Sequence, residues 1–492
     1  MAGLEDVIRR VNGCQKVHIM PKVPTNSPPV DFPLEMDGHT GSQSSRLYLA
    51  LRDSILSGRV PAGARLPASR ALAGQLGLPR NVVVVAYERL LADELAQART
   101  GAGTFVAADV PVGVVPARTI DPPPAPVPAE VFALGRTHAE PQLRDDLRRA
   151  VNRRLRAFDD AHLRYGDPRG GRPLREQIAV HLAMHRGIPC DADHIVLVSG
   201  TQQGLRLALD TVVAPGHSVW MEDPGYPAAR RAIEAAGARV VPVPVDAAGL
   251  DVAEGHRRAA TAQAVYVTPS HQFPTGVAMS MARRAQLLAW ARQADAWILE
   301  DDYDGEFRYT GPPLTALAGL DPARRVIYFG TFSKTLFPGL RLGYVVLPPD
   351  LLGPFLAARQ ALDRFPPTLL EGAVADMMAR GEVSAHIRRV RSRYRMARDV
   401  LADTLEQTAG GRLQVAVPEQ GLHLVARLTD PDLHDAAGRL RTQARISGLL
   451  LSETRMSPSA EEGFVLGFSG HSLDDIRAGA IRLGQAVKTG GG

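Results

Sequence analysis

The chain has almost no lysine. Of its 57 lysines and arginines only four are lysines, Lys16, Lys22, Lys334 and Lys488, so that between Val23 and Val487 Lys334 stands alone. Arginine stays protonated, whereas lysine can lose its proton and form an imine with an aldehyde. A lysine kept where arginine serves every general purpose therefore points to carbonyl chemistry. Cysteine is nearly missing too. Cys14 and Cys190 give neither a disulfide framework nor a zinc-ligand cluster, and no metal site is expected. No run approaches the ~18 apolar residues of a membrane-spanning helix. The opening Met-Ala-Gly-Leu-Glu-Asp-Val-Ile-Arg-Arg lacks an apolar core of signal-peptide length. Together these absences exclude a disulfide scaffold and a membrane protein, and they predict a reducing cytoplasm.

The material that is present suits a soluble protein of two to four domains: 492 residues, 45% hydrophobic and 22% charged. Net charge is only +5, so its distribution matters more than its size. From Thr40 to Val106 eight arginines (46, 52, 59, 65, 70, 80, 89 and 99) face four acids, Asp53, Glu88, Asp93 and Glu94. A small basic module on a near-neutral body points to nucleic acid, although charge alone also fits a solvated basic face.

Residues 1–42 form a mixed, proline-bearing extension with room for a short helix at Leu4–Val11, and no function is legible there. Residues 43–107 have the order of a winged helix-turn-helix. Leu47, Leu51 and Ile55 give an apolar face to a first helix ending at Gly58. Ser69 is expected to cap a second helix carrying Leu72, Ala73 and Leu76, stopped by Gly77. A third begins near Arg80-Asn81 and is expected to bury Val83, Tyr87, Leu90 and Leu91. Arg99-Thr-Gly-Ala-Gly-Thr-Phe-Val106 then reads as two short extended pieces around a glycine turn, as in a wing. Such a module sets the third helix's N-terminal end in the major groove while the second helix and the wing hold phosphates. A three-helix core with no DNA role stays open at this point.

The segment resembles the GntR-type DNA-binding domain in Leu66-Pro-Ala-Ser-Arg70, Leu78-Pro-Arg-Asn81, Ala86-Tyr-Glu88 and Gly101-Ala-Gly-Thr-Phe-Val106. The resemblance implies contacts to double-stranded DNA from Arg65, Ser69, Arg70, Arg80, Asn81, Thr100 and Gly101. Val82 replaces the small hydroxyl residue usual after the Arg-Asn pair. Asp93-Glu-Leu95 replaces the usual Glu-Gly-Tyr/Leu before the wing. Residues 108–130, with prolines at 111, 116, 122, 123, 124, 126 and 128, read as a semi-extended linker.

From Val131 to Thr489 helical and short apolar segments alternate, as in an α/β domain with a mostly parallel sheet. Strands are expected at Ile195–Val198, Val219–Met221, Ala264–Val267, Trp297–Leu299 and Val326–Phe329. Polar groups follow each of them: Ser199-Gly-Thr-Gln-Gln203 opening a helix, Tyr226, Thr268-Pro-Ser-His-Gln-Phe-Pro-Thr-Gly276, Asp301-Asp-Tyr303, and Thr331-Phe-Ser-Lys334 with Arg341. At strand carboxyl ends, where α/β sheets bind ligands, these residues compose one site.

This set resembles the fold-type I aminotransferase-like domain of pyridoxal 5'-phosphate (PLP) enzymes. With the N-terminal module it resembles the MocR/GabR subfamily of GntR regulators, PdxR-like members included. The resemblance implies PLP held by Lys334 as an internal aldimine, a Schiff base. Asp301 would pair with the pyridinium nitrogen, Tyr303 with the phenolic oxygen, and Tyr226 would stack on the ring. Gly200, Thr201, Thr331 and Arg341 would hold the phosphate, with Gln202, His271 and Ser333 also around the cofactor. Tyr165 would reach the phosphate of a neighbouring subunit, which implies a domain-swapped homodimer on repeated DNA half-sites. Two departures bear on function. Phe273 stands where aminotransferases have an asparagine before Pro-Thr-Gly. Gly470, in Leu466-Gly-Phe-Ser-Gly-His471, aligns with the arginine that grips a substrate carboxylate, with Arg455 upstream. The expectation is a transcriptional regulator sensing PLP or a small amine or amino acid, in which the large domain is not an enzyme. The alternatives are an aminotransferase with a DNA-binding appendage and, more remotely, a decarboxylase or lyase.

Overall fold

The computed structural model describes residues 34, 36, 39–110, 130–159 and 163–490. The short helix expected at Leu4–Val11 and most of the proline-rich linker lie outside them. The chain divides into two compact units, Met1–Pro126 and Val127–Gly492.

In the first unit the helices are Gln43–Leu56, Ser69–Leu76 and Arg80–Ala92, followed by the antiparallel strands β1 (Ala96–Arg99) and β2 (Gly103–Val106). Ser42 caps the first helix, its Oγ accepting from the Ser45 amide at 3.3 Å. Ser69 is not a cap. Ala68 holds the cap position and Ser69 is the first helical residue, which turns its hydroxyl toward Arg80, whose Nε donates to it at 3.4 Å. Gly77 ends that helix in the left-handed region at φ 66°. The third helix buries Val83, Ala86, Tyr87 and Leu90, one stripe at helical spacing. Leu91 lies at the edge of that stripe and is only partly buried, contrary to expectation.

The second unit is built on an eight-stranded sheet. Its strands are β3 (Ile195–Val198), β4 (Ser218–Asp223), β5 (Arg239–Asp246), β6 (Gly249–Leu250), β7 (Ala264–Val267), β8 (Trp297–Asp302), β9 (Val326–Thr331) and β10 (Gly343–Val346), in the order β3-β10-β9-β8-β7-β4-β5-β6. From β9 through β8, β7 and β4 to β5 the pairing is parallel, and β10 runs antiparallel between β9 and β3. Strands β3, β7 and β9 are buried along their whole length, as a sheet covered on both faces requires. One sheet edge thus gathers the carboxyl ends of β3, β4, β7, β8 and β9 and the amino end of β10. A second, antiparallel sheet follows, of β11 (Leu413–Ala416), β12 (His423–Leu428), β13 (Leu449–Leu450) and β14 (Gly463–Gly467), in the order β11-β12-β14-β13. It shares a hydrophobic core with the helices Glu382–Thr408 and Leu473–Thr489.

Candidate functional site

The strand ends converge on a cavity of about 430 Å³. Of the residues expected at a cofactor, Gly200, Thr201, Gln202, Tyr226, Asp301, Tyr303, Thr331, Ser333, Lys334 and Arg341 all line it. Each is placed by its strand. Gly200 leaves β3 at φ 104°, a conformation that side chains rarely adopt, and opens the helix Thr201–Val212 toward the cavity. A Cβ there would stand 3.5 Å from the Arg341 guanidinium, which sets the helix start and the arginine side by side. Thr331 ends β9 and its Oγ accepts from the Ser333 amide at 3.0 Å, fixing the turn that carries Lys334. Among the described residues, neither the Lys334 nor the Arg341 side chain has a hydrogen-bonded or ion-paired partner. Burial pulls the Lys334 ammonium below its ordinary pKa, against the fields of Asp304 and Asp301.

The carboxylate side is dry. Asp301 is 6% exposed. The Tyr266 hydroxyl donates to its Oδ2 at 2.7 Å, while Oδ1 is buried with no partner. Burial pushes Asp301 up to about 7, the Tyr266 hydrogen bond opposing. A buried acid with one oxygen free toward a cavity fits a ligand that brings an N–H or a positive charge. His271 stands elsewhere than expected. It does not line the cavity but lies behind Tyr303, whose hydroxyl donates to the His271 carbonyl oxygen at 3.1 Å. The His271 Nδ1 sits 2.9 Å from Asp304 Oδ2. Its place is to hold the tyrosine. Tyr165 is 78% exposed and lies outside the cavity of its own chain, in edge contact with Phe365.

The remaining wall was not legible in the sequence. Leu422, His423, Ser447 and Leu449 come from the second sheet and its connections, and Ala133, Leu134 and Gly135 from the first residues of the unit. His423 is neutral, since burial and neighbouring His271 push it down to about 3, and its Nε2–H donates to the Pro274 carbonyl at 3.0 Å. Phe273 lines the cavity and packs with Val425, Leu451 and Val465. Among the described residues lining the cavity, Lys334 and Arg341 are the only cationic side chains.

The segment 130–137 is tied down along its length. The Glu130 amide donates to Ser447 Oγ at 3.0 Å, the Ser447 amide to Val131 O at 2.9 Å, and the Gly467 amide to Phe132 O at 3.0 Å. Ser469 Oγ donates to Arg136 O at 2.6 Å. Gly135, at φ 78°, passes so close to the lysine that a Cβ would stand 2.6 Å from Lys334 Nζ. This segment also corrects the reading of Gly470. That residue lies outside the cavity, and a Cβ on it would meet Arg136 Cβ at 2.7 Å. It is a glycine because the chain crosses there. Arg455 also lies outside the cavity and is paired with Glu461 at 2.8 Å. Tyr266 had a detectable signal, a tyrosine in the middle of a wholly apolar strand. The 130–137 segment had none, since its grip depends on hydrogen bonds to residues more than 300 positions away.

In the first unit, Arg70, Arg80, Asn81, Thr100 and Gly101 are exposed and Arg65 and Ser69 half-buried. Arg65 bridges to Phe105 of β2, which brings it beside the wing, and Ser69 and Arg80 meet at the starts of their two helices.

Residues 43–106 match the gntR family of bacterial regulatory proteins, and residues 139–456 match the aminotransferase class I and II family. The chain is 34% identical over 466 residues to a probable rhizopine catabolism regulatory protein, MocR, of Rhizobium meliloti, covering 90% of this chain and 93% of that one. It is 31% identical over 469 residues to the pyridoxine biosynthesis transcriptional regulator PdxR of Corynebacterium glutamicum, covering 94% and 99%. The chain belongs to the MocR-type gntR regulators. Among solved structures, the kynurenine aminotransferase of Pyrococcus horikoshii, in complex with PMP, superposes with a TM-score of 0.66 at 27% identity, over 74% of this chain and 92% of that one. The large unit of this MocR-type chain therefore has the fold of PLP-dependent aminotransferases, and its small unit is a DNA-binding winged helix. No helix among the described residues is long and apolar enough to cross a membrane. Residues 133–135 of the cavity wall fall between the two family matches.

Proposed function

We propose that the chain is a cytoplasmic transcriptional regulator whose DNA binding is set by occupancy of the Lys334 cavity with PLP, alone or with a small amine. The domains are the winged helix over 43–107, the linker over 108–130 and the PLP domain over 131–489. PLP, when bound, supplies an aldehyde that exchanges amines and a ring that draws electrons from them. This chain's residues fit that group. Lys334 would hold the aldehyde carbon, the free Asp301 Oδ1 would face the ring nitrogen, and Tyr303, steadied by His271, the phenolic oxygen. Tyr226 would cover the ring, and Arg341, whose side chain has no partner among the described residues, would take the phosphate with the helix start at Gly200-Thr201. Tyr165, exposed and apart from its own cavity, reaches the phosphate of a second copy, so the working form is a homodimer on paired half-sites.

The observation that carries the sensing reading is the position of Ala133–Gly135. The residues at the end of the linker are themselves a wall of the cavity, against the amine of Lys334. An occupant that moves Lys334 must act on the backbone that leads to the DNA-binding unit. The test is operator binding by apo protein, PLP-loaded protein and PLP-loaded protein with candidate amino acids. Different affinities for apo and loaded forms are expected. Equal affinities refute occupancy sensing. Turnover of an amino acid with a keto acid at about 1–10³ per second would instead establish an aminotransferase.

A further inference from the structure

The helix Glu382–Thr408 carries charge of one sign along half its length. From Val383 to Arg398 it has six arginines and no carboxylate. Three are used within the protein. The Arg389 Nε donates to Glu140 Oε2 at 2.8 Å, the Arg398 Nε to Asp399 Oδ1 at 2.8 Å, and an Arg393 N–H to the His471 carbonyl at 3.5 Å. The side chains of the other three, Arg388, Arg391 and Arg395, have no hydrogen bond or ion pair among the described residues. Spaced i, i+3 and i+7, they share one helix face over ~10 Å. Arg388 and Arg395 are exposed and Arg391 half-buried.

Several helix-surface arginines on this chain have an acid one turn away: Arg172 with Glu176, Arg206 with Asp210, Arg230 with Glu234, and Arg257 with Glu254. Arg388, Arg391 and Arg395 have none, and they lie together on one face. The wall across from it is basic as well. His181, His185 and Arg308 line one groove with Arg388 and Arg391, and the imidazoles of the two histidines stack at 4.6 Å. The single carboxylate in that groove, Glu306, is engaged by His181 Nε2 at 3.2 Å.

We propose that this arginine face binds the phosphate backbone of DNA, as a second contact separate from the winged helix. Guanidinium forks match phosphate oxygens, and contacts of this kind fix position without reading sequence. A face with three unpaired guanidinium side chains complements a polyanion, and residues 43–106 of the same chain bind one, DNA. The inference rests on the reading that the chain binds DNA.

The experiment measures binding of the full-length protein to a labelled mixed-sequence duplex of about 60 base pairs across salt concentration, where log affinity falls by about 0.9 per phosphate neutralised. The Arg388→Gln/Arg391→Gln/Arg395→Gln variant is expected to lower that slope by about 2–3 and affinity at moderate salt about tenfold or more. The matched Arg→Lys triple, which keeps the charge, should retain the slope. Arg206→Gln/Arg230→Gln/Arg257→Gln removes the same charge from acid-paired positions and should leave slope and affinity near wild type. An unchanged slope in the first variant, or an equal fall in the acid-paired control, overturns the proposal. Should the triple melt well below wild type, Arg395→Gln alone is read for a slope change of about 1. A wild-type chain that fails to bind duplex at all refutes the DNA reading itself, so the two failures are distinguishable.

Discussion

Asp301→Asn should act in opposite directions on the empty protein and on its cofactor. Burial raises Asp301 from 3.8 to about 7, so the folded chain holds a proton that the unfolded chain has released. Stability is then full below the unfolded value, falls as pH rises toward 7, and stays low above it. A shift of about three units sets a ceiling of about 4 kcal/mol, and relaxation and water entry reduce it to about 2–4 kcal/mol. Asparagine has the same shape, can still accept from Tyr266, and never ionises. The apo variant should therefore melt roughly 3–5 °C above wild type at pH 8, with the gap closing as pH falls toward 4. PLP should bind it about 10–150-fold more weakly, the worth of about 1.5–3 kcal/mol for a charge-assisted hydrogen bond. The assays are thermal melts of apo protein across pH and PLP titration by visible absorbance. No stabilisation at pH 8 would refute the account of Asp301 as a charge held in a dry wall. Undiminished PLP affinity would refute its place opposite the ring nitrogen.

Lys334→Ala should abolish cofactor attachment: wild type treated with PLP and borohydride carries the reduced adduct on Lys334, whereas the variant carries none, as peptide mass spectrometry reports. Gly135→Ala should weaken PLP binding about 5–150-fold. Its Cβ falls 2.6 Å from Lys334 Nζ; the free lysine tip can swing aside, whereas a lysine fixed to the cofactor could not, at a cost of about 1–3 kcal/mol. If Gly135→Ala leaves both PLP affinity and the apo-versus-loaded difference in DNA binding unchanged, the 130–137 segment is not the relay. Arg80→Ala, at the exposed start of the third helix, should lose about 1–3 kcal/mol of preference for operator over random DNA, measured by competition binding.

How much of this was legible depended on range. The strands and the turns that follow them could be placed because each is local: an apolar run, then a glycine, a hydroxyl or an acid. The winged helix was legible for the same reason, and its two corrections are of one residue each. Ser69 was misplaced by one position in the helix start because Ala68 takes the cap without a side-chain bond. Leu91 lost to Leu90 in the competition for one inward face. The failures were long-range. Gly470 looked like an arginine removed from a substrate site because only its place in sequence order was available. In the fold it makes room for Arg136 and Thr137. His271 looked like a cofactor contact because it precedes Gln-Phe-Pro-Thr-Gly, yet its ring is turned to Asp304 by a bond that spans 33 residues.

The correction at Gly470 changes the argument about catalysis without reversing it. A transaminase holds its substrate's carboxylate so that one bond at Cα stands at a fixed angle to the ring, and that orientation accounts for much of the rate. The question is thus what the rest of the cavity lining, apart from Lys334 and Arg341, offers a carboxylate. It offers Leu134, Phe273, Leu422 and Leu449, with His423 held neutral by burial. A carboxylate placed there would lose its water and gain no cation from this chain, at a cost of several kcal/mol. An amine with an apolar tail meets no such penalty, nor would PLP alone, whose charges Arg341 and Asp301 would meet. The same cavity is also lined by Ala133, Leu134 and Gly135, backbone that leads back toward the DNA-binding unit, so whatever fills the apolar side bears on that segment.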